Sequence, residues 1–390
     1  VDDHLATAKR VAGWLRPAWV EVDLAAVQAN VAYISGLVAP ARVCAVVKAD
    51  GYGHGAVRVA LAALAGGATH LGVALAEEGH ELRQAGIEAP VLVLSEPPPE
   101  AMRLVIEDRL TPTLYTQEGA QALVSAAGRL APAAPVPVHL KVDTGMHRVG
   151  ARPHDVVELA KAILQEPWLH LEGLFTHLAV ADEPDDPFTP HQLEVFEATR
   201  EALAAHGIRP DLLHAANSAG ALWHPRSRYD MVRPGLALYG LAPSPWVEGS
   251  LVGGLRPALS LRAEVSYLKE VPAGEGLSYG LRYRLRQAST VATVPVGYAD
   301  GVPRRLAETG GQVLIGGKRY PIAGSVTMDQ LMVDCGPGAD VRKGDEVVLL
   351  GRQGDEEITA WDWANRLGTI AYEVTCGLSP RLPRVYSSYS

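Results

Sequence analysis

Cysteine is scarce in this 390-residue chain: only Cys44, Cys335 and Cys376 are present. An odd, widely spaced set fits neither a disulfide framework nor a thiolate metal site, so a reducing compartment is the simpler expectation. Positive charge is also short. The 35 basic residues are outnumbered by 44 acidic ones, for a formal charge of -9, which repels phosphate backbones and leaves no electrostatic footprint for nucleic acid or an anionic membrane. No stretch approaches the ~20 apolar residues of a membrane span. The amino-terminal residues Val1 to Arg10 mix acids and bases without the apolar region of a signal peptide, and a cytoplasmic location is expected. Internal repeats, low-complexity tracts and HExxH-like histidine pairs are likewise missing, which argues against repeat architectures and zinc hydrolases. Thirteen histidines are present but scattered, and no metal site is expected.

Apolar residues make up 48% of the chain and charged residues 20%, enough for a sizeable core with no sign of disorder. The length exceeds one ordinary domain of about 100 to 200 residues, so two domains are expected. Between residue 42 and about 240, short β-branched runs alternate with Ala- and Leu-rich stretches of helical period. Eight candidate strands lie near Val43–Lys48, Leu71–Leu75, Val91–Ser95, Pro112–Tyr115, Val136–Asp143, Leu171–His177, Leu212–Ala215 and Met231–Leu236. Ala56–Ala65 and His191–His206 are the clearest helices between them. Eight βα units in one run favour a (β/α)8 barrel, although an open doubly wound sheet gives a similar pattern in its middle. The Pro-, Gly- and Ser-rich stretch Leu241–Pro257 breaks this rhythm, and alternating strands such as Leu259–Val271, Thr290–Val296 and Glu346–Leu350 follow. The expected α/β organisation is thus a TIM-like barrel over residues 1–245 and a mainly β C-terminal domain over 246–390, with the extreme N-terminal segment free to pack with the latter.

The first candidate barrel strand delivers Lys48 at its carboxyl end, the catalytic face of a barrel, where a lysine amine is suited to a Schiff base. A lone lysine there is as well explained by a surface position. The whole string VVKADGYGHG, residues 46–55, closely resembles the pyridoxal phosphate (PLP) attachment motif of the alanine racemases, with Asp50 and Gly51 where that family usually has Asn and Ala. Later segments continue the resemblance through both expected domains. HLKVDTGMHRVG resembles the segment that supplies an arginine, here Arg148, beside the substrate carboxylate, together with Lys141, which is carbamylated in some members. His147 replaces an expected glycine. FTHLAVAD resembles the segment whose histidine, here His177, lies against the cofactor ring; Asn217 and Ser218 in HAANSAG, and Gly235 and Leu236 in MVRPGLALYG, resemble phosphate contacts. Arg233 resembles the cation that faces the pyridine nitrogen and keeps it unprotonated, where aminotransferases place a carboxylate. In the second domain, GLSYG and GSVTMDQ supply Tyr279, Met328 and Asp329, and Tyr372 joins Tyr52 as a hydroxyl donor to the phosphate.

Racemisation needs proton transfer on both faces of the substrate. The resemblance assigns these roles to Lys48, for D-alanine, and to Tyr279, contributed by the other subunit, for L-alanine, with His177 and Arg233 stabilising the phenolate. It further implies a homodimer with shared active sites, supplying D-alanine for peptidoglycan. Met328, also from the other subunit, would meet the substrate carboxylate through its amide, and Lys141 and the other subunit's Asp329 would support the polar network. Competing readings are a broader racemase acting on serine, a non-catalytic PLP-binding barrel, and a barrel-type decarboxylase of basic amino acids. The last is disfavoured by Arg233 and by the lack of a cysteine acid in a matching motif.

Overall fold

The computed structural model describes residues 15–244 and 252–387. Val1–Arg10, the expected boundary at 245/246 and part of the Leu241–Pro257 linker lie outside the described residues. Residues 25–256 form one compact unit, and residues 15–24 join 257–387 in another. The short N-terminal piece belongs to the second unit because strand β1 (Ala18–Asp23) pairs antiparallel with residues 259–263 and parallel with 384–387.

Within the first unit, eight strands follow one another around a nearly closed parallel sheet: β2 (Arg42–Val46), β3 (His70–Val73), β4 (Val91–Val93), β5 (Thr111–Leu114), β6 (Val136–Lys141), β7 (Leu169–Phe175), β8 (Leu212–His214) and β9 (Met231–Val232). Each neighbours its successor in sequence, and β9 returns to pair with β2. The seam between β8 and β9 is joined by backbone bonds from the Asp230 amide to Leu213 O and from the Arg233 amide to Ala216 O. The fold is therefore the expected barrel. The eight strands are largely buried because helices cover a parallel sheet from outside while side chains fill its interior, which is why most of them read as apolar runs. The outer helices are α1 (Leu24–Val38), α2 (Ala56–Ala65), α3 (Ala76–Gln84), α4 (Met102–Glu107), α5 (Gln117–Leu130), α6 (Val156–Leu164) and α7 (Phe188–Ala205), with the short α8 (Ser218–Trp223) after β8. Local chemistry fixes their starts: the Thr116 hydroxyl accepts from the Gly119 amide at the head of α5, and the Asn217 side chain accepts from the Gly220 amide at the head of α8.

The second unit is mainly β. Its largest sheet contains β1, β10 (Leu259–Glu264), β15 (Gln312–Ile315), β16 (Lys318–Pro321), β18 (Glu346–Gln353), β19 (Glu356–Ile358) and β20 (Arg384–Ser387). Strands β11 (Tyr267–Val271), β14 (Ser289–Val294) and β17 (Leu331–Asp334) make a second sheet, and β12 (Gly276–Leu277) and β13 (Tyr283–Arg284) a small hairpin. Two helices, α9 (Ala360–Leu367) and α10 (Ala371–Cys376), complete it. The expected single strand Leu259–Val271 is two strands in different sheets. The ladder switches at its middle, where the Val265 amide donates to Asp345 O and the Ser266 amide to Thr293 O. Among the described residues, no helix is long and apolar enough to cross a membrane.

Candidate active site

The carboxyl ends of the barrel strands carry the polar chemistry. Lys48 follows β2, Lys141 closes β6, His177 follows β7, Ser218 follows β8 and Arg233 follows β9. The chain leaves Lys48 through a left-handed turn: Ala49, Asp50, Gly51 and Tyr52 all have φ between 52° and 59°. For L-residues this conformation costs roughly 1–2 kcal/mol each, least for Gly and for Asp or Asn. The two departures from the family motif, Asp50 and Gly51, thus stand where the backbone tolerates them best. Asp50 also accepts the Ala56 amide at the start of α2, 2.9 Å away. The Gly51 amide donates back to Val47 O and the Gly53 amide to Ala49 O, closing the turn.

The turn delivers Tyr52 inward. Its ring packs at 4.8 Å from that of Tyr239, which in turn lies 4.4 Å from His54 and donates its hydroxyl to Val46 O at 3.0 Å. The Tyr52 hydroxyl then lies so close to Gly235 that a Cβ there would sit 2.3 Å from it. At the same corner the Ser218 hydroxyl accepts the Gly235 amide at 2.9 Å and the Ala237 amide at 3.3 Å, and Leu236 is buried between them. Two hydroxyls and converging backbone amides, with no acidic side chain among them, form a donor set suited to a phosphate.

Opposite this corner Arg233, 3% exposed, is held on several sides. Its Nη2 donates to Thr176 O at 2.6 Å and Ala215 O at 3.2 Å, and makes a long 3.4 Å contact to His177 Nδ1; its Nη1 donates to His214 Nδ1 at 2.7 Å. His214 Nε2 meets His139 Nδ1 at 2.8 Å, and His139 Nε2 meets Glu172 at 3.0 Å. Because a guanidinium only donates, His214 must accept on Nδ1 and carry its proton on Nε2, and His139 in turn must carry its proton toward Glu172. Burial, with Arg233 nearby, pushes the His214 imidazole well below its usual range, and burial lowers His139 as well. Both rings are therefore neutral at pH 7. Phe175, one of only three phenylalanines, stacks on His214 with centroids 4.7 Å apart and lies under the charges of Arg233 and Lys141. Burial lowers the Arg233 guanidinium to about 10, leaving it a cation.

Burial and the charges of Arg233, Arg148 and Lys48 lower Lys141 to about 7 against a weaker pull from Asp143. Burial and the charges of Arg233, Lys141, Arg148 and Lys48 likewise hold His177 well below its usual range. Its backbone is fixed by Gln192, which donates to the His177 carbonyl at 3.1 Å and accepts the Ala179 amide at 2.8 Å. Arg148 stands exposed on the loop after β6. The unexpected His147 occupies a left-handed position, φ 55°, which explains a glycine there. Asp143 supports it, accepting its amide at 3.0 Å and its Nδ1 at 3.2 Å.

The remaining expected residues lie in the β unit. Tyr279 follows the short strand β12, 75% exposed, with Ser278, Gly280 and Leu281 all at positive φ. The Ser278 hydroxyl anchors this tip to Ser325 O at 2.7 Å. Met328 is exposed and its carbonyl accepts the Ala299 amide; Asp329 pairs with Arg381 at 2.7 Å. Tyr372 is on α10. Residues overlooked by the sequence reading are His139, Glu172, His214, Tyr239 and Gln192. A His and a Glu inside otherwise apolar strands were the available signal for the first two.

Residues 22–243 match the alanine racemase N-terminal domain family and residues 258–386 the alanine racemase C-terminal domain family. Alanine racemase of Symbiobacterium thermophilum is 50% identical over 372 residues, spanning 95% of this chain and 97% of that protein. That of Methanococcus maripaludis is 40% identical, spanning 95% and 98%. Among solved structures, alanine racemase from Streptomyces lavendulae superposes with a TM-score of 0.90 at 39% identity, over 97% of this chain and 98% of that one. Alanine racemase from Bacillus anthracis with bound L-Ala-P gives 0.88 at 39% identity, over 96% of each. With a barrel that presents this lysine, arginine and hydroxyl constellation, and relatives that match along nearly its whole length, the chain belongs to the alanine racemase family.

Proposed function

We propose that this chain interconverts L- and D-alanine with PLP as cofactor. The observation that carries the reading is the placement of Lys48, Arg233 and the Tyr52–Ser218–Gly235 corner on one barrel face, a donor set that fits the amine linkage, ring nitrogen and phosphate of that cofactor. PLP, when bound, supplies an electron sink that makes the α proton of alanine acidic. Ser218, Tyr52 and the amides of Gly235 and Leu236 would hold the phosphate, with Asn217 setting the head of α8 and Tyr372 adding a hydroxyl. Arg233, which can only donate, would face the ring nitrogen and keep it unprotonated. Arg148, with the Met328 amide contributed by the partner subunit, would orient the substrate carboxylate. Lys48 exchanges the proton of D-alanine on one face.

Tyr279 exchanges the proton of L-alanine on the other face, contributed by the partner subunit of a homodimer; its exposed, rigidly anchored tip supports that assignment. The contact between His177 Nδ1 and Arg233 leaves the His177 proton on Nε2, free to donate to a phenolate. A Lys141 amine lowered to about 7 is substantially neutral at physiological pH, the form that reacts with carbon dioxide, and its carbamate would place an anion among three cations. A cytoplasmic enzyme supplying D-alanine for peptidoglycan is the fitting context. Incubating the protein with either enantiomer in heavy water should yield both enantiomers deuterated at Cα, and borohydride reduction should leave the pyridoxyl label on Lys48. Label on another residue, or no solvent deuterium in the product, would overturn the reading.

A further inference from the structure

The left-handed turn that carries Lys48 is not held by its own hydrogen bonds alone. Glu78, in the first turn of α3, reaches across to it: Oε1 accepts the Ala49 amide at 2.7 Å. The other oxygen, Oε2, accepts the Ala74 amide at 2.7 Å and the Leu75 amide at 3.1 Å. One carboxylate thus ties the residue next to Lys48 to the loop after β3, while the Val47 amide, just before Lys48, donates to Gly72 O within β3. The two oxygens have separate duties. Oε2 completes the head of α3, an ordinary helix-start role; Oε1 has no such role and serves only the turn. An extended, unstrained backbone would be the default for Ala49 and Tyr52, so the turn needs an external tie to stay populated.

We propose that Glu78 is a positioning residue for Lys48, its Oε1 holding the turn so that the lysine amine stays in one place on the barrel face. This rests on the proposed role of Lys48. A proton-transfer group loses rate steeply when its place is blurred, while substrate affinity set elsewhere changes little.

Glu78→Gln separates the two duties. An amide has one acceptor oxygen, and the two backbone amides at the head of α3 outcompete the single one of Ala49 for it. The side-chain NH2 is then turned against the Ala49 N–H, donor against donor. The helix start survives and the turn is released. The test compares the parent and Glu78→Gln as PLP-loaded proteins. Hydrogen exchange in the peptide around residues 48–54 should accelerate at least tenfold in the variant, while that of residues 76–84 stays within twofold. In steady-state kinetics, kcat for D-alanine should fall at least tenfold with KM moving less than threefold. If Glu78→Gln does not fold, Glu78→Asp keeps the charge but is one methylene too short to serve both loops, and should show the same pattern more mildly.

Unchanged exchange around Lys48, or faster exchange with kcat preserved, overturns the proposal. Borohydride labelling of the parent distinguishes a different failure: a label away from Lys48 overturns the site reading on which the proposal depends.

Discussion

Gly235 shows how finely one residue divides binding from exclusion. A methyl group there would sit 2.3 Å from the Tyr52 hydroxyl and 3.0 Å from its Cζ, so the ring must give way. Gly235→Ala is therefore expected to leave the fold intact, to turn Tyr52 out of the phosphate corner and to weaken PLP at least tenfold, as read by spectroscopic titration of the apoprotein. Unaltered affinity would remove Tyr52 from the phosphate site. At Tyr279 the expectation concerns direction. Tyr279→Phe should slow proton removal from L-alanine much more than from D-alanine, so that the primary deuterium isotope effect is larger for L-alanine; equal effects in both directions would count against its role. Residues such as Lys48 and Arg233 were legible in the sequence because short motifs surround them. His139, Glu172 and His214 were not, because their function lies in a contact between three strands that no local string records.

Elements tell a similar story through packing. Strands β6 and β7 meet where Gly173 faces His139, and a Cβ on Gly173 would sit only 2.6 Å from the imidazole. Neither side has room, since His139 is pinned between His214 and Glu172. Gly173→Ala should destabilise the protein by about 1–3 kcal/mol, the usual result of overpacking a core. Urea unfolding measures that, and a change below 0.5 kcal/mol, within the ordinary range of surface substitutions, would show the strands to be more yielding than drawn. The eight barrel strands were readable because both of their faces are buried, which writes β-branched runs into the sequence. The local pattern predicts no strand at Ala18–Asp23 and one continuous strand over Leu259–Val271. Pairing partners more than 200 residues away, and a mid-run switch of ladder at Val265 and Ser266, leave no local trace.

At the scale of the whole molecule, acid should be more damaging than the net charge suggests. His70 is lowered to about 4, mainly by burial, and His139, His177 and His214 are lowered too. A histidine that stays neutral when folded but titrates near 6.5 when unfolded gives stability present in full above that pH and lost as the pH falls. Each contributes a slope of up to about 1.4 kcal/mol per pH unit. The urea midpoint should therefore drop steeply from pH 6.5 to 4, and a flat profile would contradict the buried neutral rings. Assembly is the second expectation at this scale. If Tyr279 works in a neighbouring subunit, dilution that separates the chains should abolish turnover while PLP remains bound, with sedimentation and activity falling over the same concentration range; an active monomer would refute the shared site.

The row from Glu172 through His139 and His214 to Arg233 has one further consequence. Each ring offers its single hydrogen in the same direction, and the cation at the end accepts nothing, so reversing any one member would set two donors face to face. The file of imidazoles is consequently locked in a single tautomeric order, and it braces the guanidinium from behind through neutral rings.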